Sequence, residues 1–147
     1  MSANIAPEVI AAAQAAERKW KVPASVSIAQ YGIESAWGKK SPGCNPFGIK
    51  HIAGYGNQHF LTHEVVHGVS IACQQTFAMF PNITTAFDIH AKLLANAACY
   101  KSAMDALPDI VKFVALMSKH YATDPNYAKS IMAVIDGDKL IKYDLTN

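Results

Sequence analysis

The chain has 147 residues, 51% of them hydrophobic and 16% charged, with a formal net charge of +2. That length suits one domain with a sizeable core, and so weak a charge demands no strongly electrostatic partner such as nucleic acid or an anionic membrane surface. No apolar run reaches the ~20 residues that a bilayer span needs, and the first residues lack the basic and unbroken apolar regions of a secretory signal.

In chain order, Pro7 and Glu8 open a helix as first-turn proline and acid, and Ala11 to Ala16 carries it to about Trp20. Pro23 opens a second. Val26, Ala29, Ile33 and Trp37 recur at helical spacing as its buried face, and Gly38 is its expected stop. Residues 41–57 hold Pro42, Gly43, Pro46, Gly48, Gly54 and Gly56 and read as loop. Residues 59–80 change character: Val, Ile, Thr and Phe dominate, and His67-Gly68 offers a turn between two strands. Thr84 or Thr85 is expected to cap the next helix, with Asp88 completing a capping box with Thr85. Pro108-Asp109 starts a helix running to about Tyr121, and Asp124-Pro125 starts the last, which Gly137 stops. The expected architecture is mainly α in an α+β arrangement: one domain over residues 1–147, helical, with a small β-hairpin lobe at about 59–80.

Cys44, Cys73 and Cys99 are odd in number and widely spaced, which argues against a disulfide framework. Cys73 and Cys99 stand among apolar residues and are expected to be buried; Cys44 reads as a loop thiol.

Two motifs compete for the chemistry. His63-Glu64-Val65-Val66-His67 matches the H-E-x-x-H of zinc proteases, which needs a helix to bring both imidazoles to one metal. Here paired valines and Gly68 favour strand and turn. Strand geometry would hold residues 63 and 67 about 13 Å apart, too far for one tetrahedral ion. No metal site is therefore expected. Glu34 is the stronger candidate. It lies within a turn of a helix end, among Gln30, Tyr31 and Trp37 rather than basic partners, and it is the only acid between Glu17 and Glu64. A carboxyl packed against aromatics holds its proton to higher pH and can act as a general acid.

The stretch AQYGIESAWGKKSPGCNPFGIK, residues 29–50, resembles the A-Q-x-x-x-E-S-x-W-G … N-x-F-G-I-K signature of the glucosaminidase domain, glycoside hydrolase family 73. Further blocks follow in order. Thr62, Glu64 and Gly68 fit a T-x-E-x-x-x-G hairpin, and Ala86-Phe87-Asp88 with His90 fits S-F-x-D-H. Residues 121–128, YATDPNYA, fit Y-A-T-D-P-x-Y-A. The chain departs from the family at Phe77-Ala78-Met79-Phe80, where F-R-x-Y is usual, at Val65 in place of a tyrosine and at His120 in place of a glycine.

This resemblance implies a lysozyme-like fold, with the hairpin lobe forming one wall of a cleft, and hydrolysis of peptidoglycan between N-acetylglucosamine and N-acetylmuramic acid. Glu34 would protonate the leaving oxygen. Glu64 matches the second carboxylate, with Asp88 its rival. In an inverting reaction the second acid activates water at a separation of ~6.5–9.5 Å; otherwise the N-acetyl group of the substrate assists. Tyr121 matches a cleft tyrosine near the scissile bond. Trp37 and Phe47 would stack on sugars or wall the acid, and Asn45 would donate to an N-acetyl carbonyl. No cofactor is implied, since carboxylates and water suffice. The implied partner is the glycan strand, met by a monomer without nucleic acid or stable membrane insertion. The implied setting is a stand-alone endolysin made in the cytoplasm and released to the wall through a holin, or a secretion-system toxin of the same activity. A muramidase or lytic transglycosylase specificity, or a peptidoglycan-binding module without catalysis, are the alternatives.

Overall fold

The computed structural model describes residues 4–145, with every side chain among them except that of Glu64. Among the described residues six helices surround one core: α1 (Pro7–Trp20), α2 (Ala24–Ser35), α3 (Ile83–Asn96), α4 (Lys101–Ala106), α5 (Ile110–Tyr121) and α6 (Tyr127–Gly137). Between α2 and α3 the chain leaves the helical body as two antiparallel strands, β1 (Gly56–Val66) and β2 (Val69–Met79). The mainly α, lysozyme-like arrangement with a hairpin lobe is thus the observed one. No helix among the described residues is long and apolar enough to cross a membrane.

The centre of the body is α2. Ten of its twelve residues are buried, and the two that are not are Ile33 and Glu34. This corrects the expected one-sided stripe: Ile33 faces outward, and Trp37 lies beyond the helix. Helix α2 has Pro23 at its N-cap, which offers no side-chain acceptor, so other elements satisfy its first N–H groups. Glu17 on α1 accepts from Ala24 N at 3.1 Å, and Asp144 accepts from Ser25 N at 2.7 Å and Ser25 Oγ at 2.8 Å. These carboxylates also favour the positive end of the helix dipole.

The C-terminal end of α2 is equally specified. Ser35 Oγ donates to Tyr31 O and accepts from Gly38 N, while Ala36 and Trp37 both take left-handed backbone. The chain therefore turns from Ala36, two residues before Gly38, which has its own constraint: a Cβ there would lie 2.3 Å from the Tyr31 hydroxyl. The Trp37 indole then lies across Gly32, where a Cβ would come within 2.5 Å of the ring.

His67 and Gly68 both have positive φ, as a two-residue turn of the type that matches strand twist requires, and Val66 pairs with Val69. The root of the hairpin is tied to the loop after α2. His51 N donates to Thr76 O, Ala78 N to Ile49 O and Phe80 N to Gly43 O. Toward the tip the ribbon pairs only with itself, and among its described residues only Ala78 is buried.

Two further expectations need correction. Helix α3 is capped by Asn82, whose Oδ1 accepts from Thr85 N at 2.8 Å, so Thr85 and Asp88 form no capping box. Cys99 is exposed and Cys73 half-buried, because neither position faces the helical core.

Candidate active site

Glu34 stands where two cavities meet. The larger, about 990 Å³, runs between α2, the loop 47–50, α3 and the α5–α6 connection. The smaller, about 250 Å³, lies between that loop and the hairpin, and both are lined by Glu34 and Gly48. Together they make a trough with the acid at its middle. The hairpin contributes Gln58, Phe60 and Thr62 of β1 and Phe77 of β2. These belong to one face, since Gln58 pairs with Phe77 and strand side chains alternate. By the same alternation, position 64 lies in the row of residues 58, 60 and 62, one step nearer the tip, with Ile71 as its backbone partner. The Glu64 side chain lies outside the described residues.

Partial burial raises the pKa of the Glu34 carboxyl, and a hydrogen bond from Tyr127 pulls it part of the way back. Tyr127 Oη donates to Glu34 Oε1 at 3.0 Å and accepts from Gln30 Nε2 at 3.2 Å. Sequence reasoning had no role for Tyr127. Its signal was present in the Y-A-T-D-P-x-Y-A block, but Glu34 lies 93 residues away, and nothing local reports that approach.

A continuous aromatic wall leads to this pair. Tyr127 stacks on Tyr121 at 5.6 Å, Tyr121 meets His90 edge-on at 5.9 Å, and His90 stacks on Phe47 at 4.0 Å. Burial pushes the His90 pKa down to about 3, so the ring is neutral. It raises that of the Tyr121 hydroxyl, helped by Tyr127 and then Glu34 nearby.

The other expected site residues divide. Phe47 and Tyr121 line the larger cavity. Phe47 is buried in the wall, however, with one face on His90 and its edge against Phe87. Trp37 lines neither cavity and packs on Gly32 and Tyr31, so it supports the helix end rather than a sugar. Asn45 borders the smaller cavity, but both N–H groups of its amide are spent, on Ile49 O at 2.8 Å and Ala78 O at 2.9 Å, and Oδ1 accepts from Ile49 N. It fastens the loop to the hairpin root and has no donor left for a substrate carbonyl.

Asp88 is elsewhere. Its carboxylate accepts from Trp20 Nε1 at 2.9 Å and lies 3.7 Å from Lys19 Nζ, and it borders neither cavity that Glu34 lines. Set letter by letter on S-F-x-D-H, Asp88 occupies the variable place and Ile89 that of the aspartate. Asp124 does share the larger cavity with Glu34, though its Oδ1 is engaged by Asn126 N at 2.8 Å. The H-E-V-V-H segment is strand and turn, with His63 in β1 and His67 in the turn. Among the described residues no group of three metal-ligating side chains converges.

A family model described as mannosyl-glycoprotein endo-beta-N-acetylglucosaminidase matches residues 10–140. The exo-glucosaminidase LytG of Bacillus subtilis is 32% identical over 145 residues, covering 92% of this chain and 51% of the relative. The peptidoglycan hydrolase FlgJ of Salmonella typhimurium is 28% identical, covering 84% and 42%. This chain therefore spans about half the length, or less, of these curated relatives. Among solved structures, the catalytic domain of the Listeria monocytogenes autolysin Auto superposes with a TM-score of 0.86 at 28% identity, covering 93% of this chain and 84% of that one.

Proposed function

The chain belongs to the glucosaminidase family, and from that premise we propose that it hydrolyses peptidoglycan at the bond between N-acetylglucosamine and N-acetylmuramic acid, with Glu34 as general acid. The observation that carries this reading is the placement of Glu34: a carboxyl with a raised pKa at the junction of two cavities that together form one trough. A glycan strand in that trough would present its linking oxygen to the acid from the open side, while Tyr127 holds Oε1 from the protein side. Proton donation at such a position is worth about 10²–10⁴-fold in rate.

Glu64 is the second carboxylate in this proposal, since its position falls in the hairpin row that includes the cleft-facing residues 58, 60 and 62. Asp88, engaged with Trp20 and Lys19 and bordering neither cavity that Glu34 lines, ranks behind it. Tyr121 would meet the sugar beside the scissile bond. Curated relatives carry names for both bond specificities, exo-glucosaminidase and probable N-acetylmuramidase, so the product decides the bond. Digestion of purified peptidoglycan should release fragments with N-acetylglucosamine at the reducing end, read by mass spectrometry. Reducing or anhydro muramic acid would reassign the enzyme to muramidase or lytic transglycosylase chemistry, and an intact glycan would leave only a binding module. Inverted anomeric configuration in the first product would favour water activated by Glu64, and retention would favour assistance by the substrate's N-acetyl group.

A further inference from the structure

Helix α2 carries a second polar side chain on the face it turns toward α6. Gln30 lies one turn before Glu34, is fully buried, and reaches the same tyrosine. Its Nε2 donates to Tyr127 Oη at 3.2 Å and lies 3.7 Å from Met117 Sδ, while its Oε1 is buried without a hydrogen-bond partner. An unpaired buried acceptor costs about 1–3 kcal/mol, and a methionine or leucine would fill the same space without it. The amide at this place therefore needs a reason other than packing.

Directionality supplies the reason. A side-chain NH₂ can only donate, so the single hydroxyl proton of Tyr127 cannot point at Gln30. It points at Glu34 Oε1, 3.0 Å away. With the amide reversed, its oxygen would compete for that proton. The reversed amide would also set its oxygen against the Met117 sulfur, which can accept a hydrogen bond but not donate one. We propose that Gln30 is a positioning residue: its amide turns the Tyr127 proton onto Oε1 of Glu34, leaving Oε2 as the oxygen that carries the transferable proton. The catalytic meaning of this relay rests on the reading of Glu34 as general acid; the hydrogen-bond order does not.

The other titratable groups around Glu34 are Tyr121 and His120 on α5 and His90 on α3, with Tyr100 beside them. Lys50 and Asp124 border the larger cavity and Lys40 the smaller. None of these is altered by a change at position 30, so movement of the Glu34 titration in such a variant reports the relay. A donor onto the carboxylate lowers its pKa; losing or misdirecting that donor moves it upward.

The test titrates Glu34 by carboxyl ¹³C NMR in the parent, Gln30→Met, Tyr127→Phe and the double variant, with kcat and KM on soluble glycan fragments alongside. Gln30→Met removes the donor that orients and polarises the Tyr127 hydroxyl, so the Glu34 midpoint should move upward, by less than in Tyr127→Phe, and the double variant should move it no further than Tyr127→Phe alone. The alkaline limb of kcat should follow the midpoint, and kcat should fall about tenfold with KM little changed. A midpoint unmoved in Gln30→Met, or shifts that add in the double variant, would overturn the proposal. Should Gln30→Met not fold, nuclear Overhauser contacts in the parent decide: side-chain amide protons close to the Tyr127 ring support the relay, and their absence there overturns it. Full activity in Glu34→Gln would remove the general-acid reading while leaving the NMR result standing, so the two failures are distinguishable.

Discussion

Helix α2 and the β1–β2 hairpin face each other across the trough and are built on opposite terms. The helix has ten of twelve residues buried, carboxylates from two other segments on its first N–H groups, and a serine relay at its last turn. The ribbon has eleven residues in each strand and, among those described, only Ala78 buried. The helix therefore fixes Glu34 to the accuracy of the core, whereas the position of residue 64 depends on a ribbon anchored only at its root. Local opening follows buried contact. The proposed general acid is on the stiff element, and its proposed partner is on the compliant one, where closure over a glycan would set the distance between them.

The largest expected effects test the two carboxylates. Glu34→Gln should lower turnover by about 10²–10⁴-fold while the protein stays folded; full activity would break the contrast at its stiff end. The same variant carries a stability signature of known sign. Burial raises the folded-state pKa of Glu34, so as pH rises the unfolded chain releases that proton first, and stability falls through the window between the two pKa values. Above that window Glu34→Gln should melt at a higher temperature than the parent, and by calorimetry the gap should close on acidification. Glu64→Gln should also cost turnover heavily, and Asp88→Asn should leave it near the parental rate. The reverse order would return the second role to Asp88 and remove the hairpin from catalysis.

These two regions were also unequally legible. The hairpin could be read from composition because its turn is local: His67-Gly68 between valines encodes the positive φ pair the structure shows. Helix ends were local too, at Pro7 and Gly137. The interior of α2 was not, because a helix buried nearly all round has no polar face to set its phase, and Ile33 and Trp37 were drawn into a stripe that does not exist. Asn82 was passed over as a cap because Thr84 and Thr85 offered the same chemistry two and three residues later. Helix α4 is only six residues long and leaves no periodicity to detect. At the site, Glu34 was marked by its neighbours. Tyr127 and the latch role of Asn45 depend on contacts between segments far apart in sequence, and no pattern within either segment reports them.

An intermediate effect is expected at the seam between the regions. Asn45→Ala removes three hydrogen bonds that join the loop to itself and to the hairpin root, and it leaves Ile49 N unpaired beneath the ribbon, while Ile49 O keeps its bond from Ala78 N. A loss of about 2 kcal/mol in urea unfolding is the expected scale. Activity should fall by more than the folded fraction explains, because the same loop divides the two cavities. A loss in stability alone would mean that the ribbon finds its place without the latch.

The smallest effect is expected far out on the ribbon. Val65 is 75% exposed, stands on the face opposite the row of residues 58, 60 and 62, and pairs across the strands with Ser70. Threonine there keeps the branched shape that strands favour, replaces a methyl that water already reaches, and can hydrogen-bond to solvent. Val65→Thr should therefore change unfolding free energy by no more than about 0.5 kcal/mol and leave turnover unchanged. A large fall in turnover with stability intact would show that the outer face of the tip meets the substrate or the wall around it. The ribbon would then have two working faces, and the contrast with α2 would concern contact with the polymer rather than stiffness.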